Sequence, residues 1–369
     1  MATPFVSSIR PALDRLIEQR FPGFRVVDVR RFGVDEAEPD AVTEKAVGYG
    51  HPLKLRIRDQ AGAERHLVFH TASSDPFGHD RRSDRAAEML LGFDTFGSIP
   101  RHVPALDVGA LSADQRELIS LAQSGEFYLL TGYADGHLYA DELRRIAADA
   151  RLGPHDLDHC RTLAGYLADL HAHKLDAPEQ YSRAVRDLVG SGEGIFGMID
   201  SFADGAPGAP AERLIRIESA CVAWRHRLRR RPGRLSRTHG DFHPFNLLFD
   251  DAHGLHLLDT SRGSVGDPAD DICALAINYL FFAVERPAVW RSAFAELWHT
   301  FFERYLERSG DAEMLEVLAP FLAWRGLVVT SPVWYPGLQP AARDRLLSFI
   351  EKTLAADRFE PAFAEDVFA

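Results

Sequence analysis

The feature that most restricts the fold is a change in hydrophobic period about a third of the way along the chain. Up to about residue 132 the apolar residues come in short β-leaning runs: Phe24–Phe32 (FRVVDVRRF), Leu53–Arg58 (LKLRIR), Arg65–Thr71 (RHLVFHT) and Phe127–Thr131 (FYLLT). A polar Asp59–Gly62 turn joins the second and third runs, which predicts an antiparallel hairpin. Between the first two lie an acidic stretch, Val34–Glu44, and Gly48-Tyr49-Gly50. A single helical pattern, Arg82–Phe93, interrupts the strands. Beyond residue 132 the period is 3.6. Leu157, Cys160, Leu163, Ala164, Leu167, Leu170 and His171 mark a mostly buried helix. Further helices are expected over 195–198, 213–228, 268–284, 293–309, 312–328 and 341–354. Two short β-like runs, Leu247–Phe249 and Leu255–Leu258, sit among them around an Asp250–Gly254 turn. This pattern predicts an α+β chain: a small antiparallel sheet with one helix over residues 1–132, then a larger, mainly helical part over 133–369. The boundary is expected near Gly132–Gly136.

Composition excludes several alternatives. The 369 residues carry a formal net charge of −12, which argues against a general nucleic-acid or anionic-membrane binder. The most apolar run, Ile272–Val284, is well short of the roughly 20 residues needed to span a bilayer. The first residues contain acids and lack the apolar core of a signal peptide. Ile9, Leu13, Leu16 and Ile17 predict a surface helix there instead. Cys160, Cys221 and Cys273 are widely spaced, forming neither a zinc pattern nor a disulfide framework, and are expected to fill core. Together these features predict a soluble, cytoplasmic protein. The seven arginines of Arg225–Arg237 (RHRLRRRPGRLSR) read as a solvated helix end.

The chemistry is concentrated in Thr238–Asp271, THGDFHPFNLLFDDAHGLHLLDTSRGSVGDPADD. Asp241 and Asn246 flank a loop stiffened by Gly240 and Pro244. A hairpin built on Leu247–Phe249 and Leu255–Leu258 would set Asn246 beside Asp259. Asp and Asn oxygens suit a hard cation such as Mg²⁺, which completes its shell with phosphates and water. Asp241 is then free to accept a proton from an attacking hydroxyl, giving minimal equipment for phosphoryl transfer. His239 and His243 read as hydrogen-bonded scaffolding of the loop. Asp267 before Pro268 reads as a helix N-cap with proline at the first helical position.

The same stretch resembles the active-site signature of the aminoglycoside phosphotransferase and choline kinase families, relatives of protein kinases. His239-Gly240-Asp241-Phe242-His243-Pro244-Phe245-Asn246 is similar to their H-G-D-x-H-x-x-N loop. Leu258-Asp259-Thr260 stands in place of their metal-binding segment, and Gly266-Asp267-Pro268 through Asp271 resembles the G-D-P-x-x-D that follows. Phe127–Gly136 is similar to the family hinge, Leu163–His171 to the helix ahead of the catalytic loop, and Glu88 to the helix-borne glutamate.

The resemblance implies a two-lobed, protein-kinase-like α+β fold with ATP and Mg²⁺ as cofactors. The γ-phosphate would pass to a hydroxyl of a small molecule. Asp241 would be the catalytic base, with Asn246 and Asp259 the magnesium ligands. The family's strand lysine or arginine is replaced here by His70, at the end of Leu67-Val68-Phe69-His70. Of the four lysines only Lys45 and Lys54 precede the hinge; Lys54, on the neighbouring strand, is the lysine candidate for the nucleotide phosphates with Glu88 in the place of its family partner, and an arginine, Arg56 or Arg81, is the other possibility. The alternative, motivated by His70 and the missing glycine-rich signature, is a nucleotide-binding pseudokinase. The aromatic group around Trp324, Arg325, Trp334 and Tyr335 falls where these families line the acceptor pocket, or is C-terminal core.

Overall fold

A computed structural model describes residues 4–31, 52–260 and 262–369. The chain divides into two compact units, Met1–Thr131 and Gly132–Ala369. The acidic stretch 34–44 and Gly48-Tyr49-Gly50 lie outside the described residues.

In the first unit, helix α1 (Pro4–Arg20) packs on a sheet of β1 (Arg25–Arg31), β2 (Leu53–Arg58) and β3 (Glu64–Phe69), ordered β1-β2-β3 and antiparallel throughout. Alternation along β2 sends Leu53, Leu55 and Ile57 inward, leaving Lys54, Arg56 and Arg58 on the other face. Leu53 and Leu55 meet Val6, Ile9, Ala12 and Leu13 of α1, so the N-terminal amphipathic pattern is spent on this core. The β2–β3 turn closes as the sequence predicts. Asp59 accepts the Ala63 N–H through its side chain at 2.8 Å, and Gly62 takes φ +90°. Helix α2 (Arg82–Thr95) has no buried residue. A short hairpin of β4 (Gly109–Leu111) and β5 (Leu118–Ser120) follows, which the sequence pattern did not predict.

The strand expected over Phe127–Thr131 does not form. Phe127, Tyr128, Leu129 and Leu130 are all exposed, and no strand pairs with them among the described residues. Strand propensity measures fit to a half-buried pleated surface, and an apolar run without such a surface stays irregular.

The second unit starts with β6 (His137–Leu138) and α3 (Tyr139–Asp149). Then come α4 (Asp156–His171), α5 (Pro178–Gly190), α6 (Ile195–Asp200), α7 (Ala211–Leu228) and β7 (Ser236–Arg237). The predicted hairpin follows as β8 (Leu247–Phe249) and β9 (Leu255–Leu257), and after it β10 (Val265–Gly266). The last helices are α8 (Pro268–Ala283), α9 (Pro287–Val289), α10 (Ala295–Ser309), α11 (Met314–Val317), α12 (Ala319–Thr330) and α13 (Pro340–Ala355). Strand β6 pairs with β8, and β8 with β9, while β7 pairs with β10 across the catalytic-loop candidate.

Helix α8 is apolar on nearly every side, so it is buried all round, as such a helix must be. Its start is capped as expected: the Asp267 side chain accepts the Ala269 N–H at 3.0 Å, with Pro268 at the first turn. The helix expected over 312–328 is two helices, α12 restarting with Pro320 in its first turn, where a missing N–H costs nothing. All three cysteines are free and buried. Among the described residues no helix is long and apolar enough to cross a membrane.

Candidate active site

The segment between β7 and β8 is held from behind. Asp271, fully buried in the first turn of α8, accepts the backbone N–H groups of His239 at 2.7 Å and Gly240 at 2.8 Å. Its Oδ2 also meets His171 Nε2 at 3.1 Å, and His171 Nδ1 reaches the Tyr305 hydroxyl at 2.9 Å. Gly240 adopts φ +82°, and a Cβ there would stand 2.6 Å from the Gly263 carbonyl oxygen, so only glycine fits. The Asp241 N–H is 3.3 Å from His239 Nδ1. His243 Nδ1 accepts the Phe245 N–H at 3.2 Å as a tight turn, Pro244–Asn246, begins. Both histidines thus act as loop scaffolding.

Asn246 donates through Nδ2 to the Asp241 carbonyl at 3.1 Å and to Asp241 Oδ2 at 3.4 Å. This orientation leaves Asn246 Oδ1 without a donor among the described residues. The Leu258 N–H donates to the Asn246 carbonyl at 2.9 Å, which closes the hairpin at the end where Asp259 follows Leu258. Asp259 is exposed, takes a left-handed φ of +48°, and has no hydrogen bond or ion pair among the described residues. Asparagine and carboxylate oxygens without competing donors are hard ligands, and the donor set fits Mg²⁺.

Two cations lie beside Asp241: Arg325, which the sequence pattern places with the C-terminal aromatic group and not with the loop, and Arg262, which has no signal there. Arg325, buried on α12, donates to Asp241 Oδ1 at 2.7 Å, to Asp270 Oδ1 at 2.6 Å and to the Gly240 carbonyl at 3.1 Å. Arg262 lies over the Trp324 ring at 4.3 Å, its Nε and Nη1 buried without a hydrogen-bond partner. Burial works against the ionised form of Asp241. The hydrogen bond from His243 and the charge of Arg325 outweigh it and hold this carboxyl well below the usual range. Asp270 goes the other way: burial pushes it up to about 6, although Arg325 pulls against the rise.

In the first unit Lys54 is on the face of β2 opposite the core, its Cα partnered with Val68, and His70 directly follows β3 and is exposed. Glu88 is exposed on α2 with its carboxylate 3.7 Å from His79 Nε2. The aromatic group of the second unit divides. Trp324 is buried, with Nε1 donating to the Glu193 carbonyl at 2.7 Å, whereas Trp334 is exposed and Tyr335 packs edge-on to Phe281. The arginine run is not wholly solvated either. Arg234 is buried and pairs with Asp267 at 2.9 Å and with Asp311 at 2.9 Å.

The model of the phosphotransferase enzyme family matches residues 76–321, more than half of the chain, and the chain belongs to that family. Among solved structures, glucosamine kinase in complex with glucosamine, ADP and inorganic phosphate is 17% identical. That match has a TM-score of 0.40 and spans 58% of this chain and 58% of that one, so the chain covers little more than half of that kinase's length. An ethanolamine kinase from Plasmodium vivax is 12% identical over 91% of this chain and 87% of that one, with a TM-score of 0.38. A thermostable mutant of an aminoglycoside phosphotransferase, in a ternary complex with ADP and hygromycin B, is 14% identical over 94% and 99%, with a TM-score of 0.39. No protein of curated function matches the chain.

Proposed function

We propose that this phosphotransferase uses ATP and Mg²⁺ to phosphorylate a hydroxyl group of a small molecule. The observation that supports this most directly is the Asp241–Asn246–Asp259 arrangement: Asn246 donates to Asp241, while Asn246 Oδ1 and the Asp259 carboxylate have no hydrogen-bond donor among the described residues. Asn246 Oδ1 and the Asp259 carboxylate would hold Mg²⁺, which when bound neutralises phosphate charge. In this reading residues 1–132 bind the nucleotide, with Lys54 meeting the phosphates and Glu88 orienting it, and residues 133–369 carry the catalytic loop and the acceptor.

The protein's own part follows from how the Asp241 oxygens are occupied. Oδ1 is engaged by Arg325 at 2.7 Å, while Oδ2 has only the longer contacts to Asn246 and His243, both 3.4 Å. Oδ2 is therefore the oxygen left to orient the acceptor hydroxyl. A carboxylate held so acidic is a weak base, which suits phosphoryl transfer through a loose transition state, where the proton leaves late and positioning supplies most of the catalysis.

The test is the melting temperature with and without ATP and with and without Mg²⁺. A ligand at 100 times its Kd adds about 2.7 kcal/mol. The expected result is a magnesium-dependent rise that Asp259→Ala removes, followed by phosphate transfer to hydroxyl acceptors or slowly to water. A magnesium-dependent rise without any turnover would favour the pseudokinase reading that His70 motivates. No rise with any nucleotide would end both.

A further inference from the structure

On the second unit, away from the catalytic loop, four segments bring imidazole and carboxylate groups together. Strand β6 contributes His137, the first turn of α3 Glu142, α4 His159, and the β8–β9 turn His253. Glu142 and His159 are buried; His137 is partly exposed. His137 Nε2 lies 2.7 Å from Glu142 Oε1. His159 Nδ1 lies 2.9 Å from both oxygens of the same carboxylate. On its far side, His159 Nε2 is 3.0 Å from His253 Nδ1. The His159 ring is stacked on Phe249 with centroids 3.9 Å apart and planes 10° from parallel, which fixes its direction. A cavity of about 530 Å³ opens beside the group, lined among others by Arg145, His155 and Asp156.

From this convergence we propose that His137, Glu142 and His159 form a binding site for a borderline divalent cation of the Zn²⁺ type. The geometry points to three protein ligands with the fourth position open to the cavity. The three ligand atoms lie within 4.8 Å of one another. Tetrahedral zinc bonds of about 2.0–2.1 Å set neighbouring ligand atoms roughly 3.3 Å apart. The two contacts to Glu142, at 2.7 and 2.9 Å, open by about half an ångström to reach that spacing, and the two imidazole nitrogens, within 4.8 Å of each other, close by at most about 1.5 Å. Two imidazoles and one carboxylate are a set that zinc accepts, and magnesium does not favour nitrogen.

The proton balance is local. Binding replaces the proton each ring nitrogen now shares with Glu142. A neutral ring shifts that proton to its other nitrogen, and a protonated ring releases it. For His159 the other nitrogen faces His253 Nδ1 at 3.0 Å, so an Nε2–H there finds an acceptor once His253 in turn carries its own proton on Nε2. This is the outer hydrogen bond that usually fixes a metal-bound histidine. The competing account is a hydrogen-bonded Glu–His network that takes no metal.

The experiment uses the full chain, stripped with a chelator, titrated calorimetrically with Zn²⁺ and followed by the visible absorption of bound Co²⁺. The expected result is one Zn²⁺ per chain with a four-coordinate Co²⁺ spectrum. His137→Ala, at a partly exposed position, should weaken binding by roughly tenfold or more while the metal-free protein melts as the wild type does. Glu142→Gln gives a second reading, provided it folds. Asp259→Ala separates this site from the proposed magnesium ligands and should bind Zn²⁺ normally. No stoichiometric binding by the wild type, unchanged affinity in His137→Ala, or loss of binding in Asp259→Ala would each overturn the proposal.

Discussion

Asp271→Asn tests whether the candidate catalytic loop is held by the hydrogen bonds beneath it. The substitution keeps shape and volume, so it introduces no cavity. Asp271 accepts from two backbone donors at once, His239 N–H on Oδ2 at 2.7 Å and Gly240 N–H on Oδ1 at 2.8 Å. An asparagine has one oxygen and one amide nitrogen at these places. Whichever way it is turned, an N–H must face an N–H in a site with no exposure.

One hydrogen bond to a charged acceptor is worth about 1.5–3 kcal/mol, and a buried donor left unmade costs about 1–3 kcal/mol. The two overlap, since they concern the same donor, so a loss of about 2–4 kcal/mol is expected. For a unit of this size each kcal/mol moves the melting temperature by roughly 2–4 °C, giving a fall of about 5–15 °C. The loop should also shift. A misplacement of about 1 Å at reacting atoms can cost on the order of 100-fold in rate, so turnover should fall more steeply than stability. Thermal unfolding followed by circular dichroism, together with nucleotide turnover below the melting range, reads both effects. A variant that melts with the wild type and turns over at the same rate would refute the reasoning, because the loop would then hold its shape without Asp271.

Asp241→Asn should lower turnover by about 10²–10⁴-fold while magnesium-dependent stabilisation by ATP persists; calorimetric loss of nucleotide binding in that variant would point to a role other than the base. Asp270 is pushed up to about 6, so below that pH it releases its share of Arg325, whose charge then falls more fully on Asp241. kcat/KM should accordingly decline on the acid side of about pH 6, and Asp270→Asn should flatten that limb. The folded state holds the Asp270 proton more tightly than the unfolded chain, so this residue's contribution to stability shrinks as pH rises from about 4 to about 6. Asp241, shifted down, contributes oppositely, and its share is lost only as pH falls below about 4. Comparing melting curves of wild type and Asp270→Asn across this window checks the sign. Gly240→Ala should destabilise by about 1–3 kcal/mol, whereas Gly233→Ala, with nothing within 4 Å of the added carbon, should be close to neutral.

The sequence showed well what neighbouring residues decide. The β2–β3 turn, the β8–β9 hairpin and the Asp267 cap are short-range structures whose donors and acceptors lie within a few positions of each other, so spacing alone predicts them. Helix α5 was legible too, and missed. Pro178 opens it, and Tyr181, Val185, Leu188 and Val189 recur on its buried face. What spacing does not carry is the partner that arrives from far along the chain. Arg325 reaches Asp241 across 84 positions, and Arg234 reaches Asp267 across 33 and Asp311 across 77. In the sequence Arg325 is one residue in an apolar helix, and Arg234 one arginine among seven.

The same reasoning covers His137, His159 and His253, which show no metal spacing because β6, α4 and the β8–β9 turn bring them together only in the folded unit. The division has a physical source. A loop's shape is a local matter of glycines, prolines and capping side chains, whereas its charge balance depends on whichever distant helix packs against it. The residues proposed to position an acceptor hydroxyl can therefore be named from a motif. The basicity of the Asp241 carboxylate is set by burial, His243 and Arg325, and becomes readable only once the helices are packed.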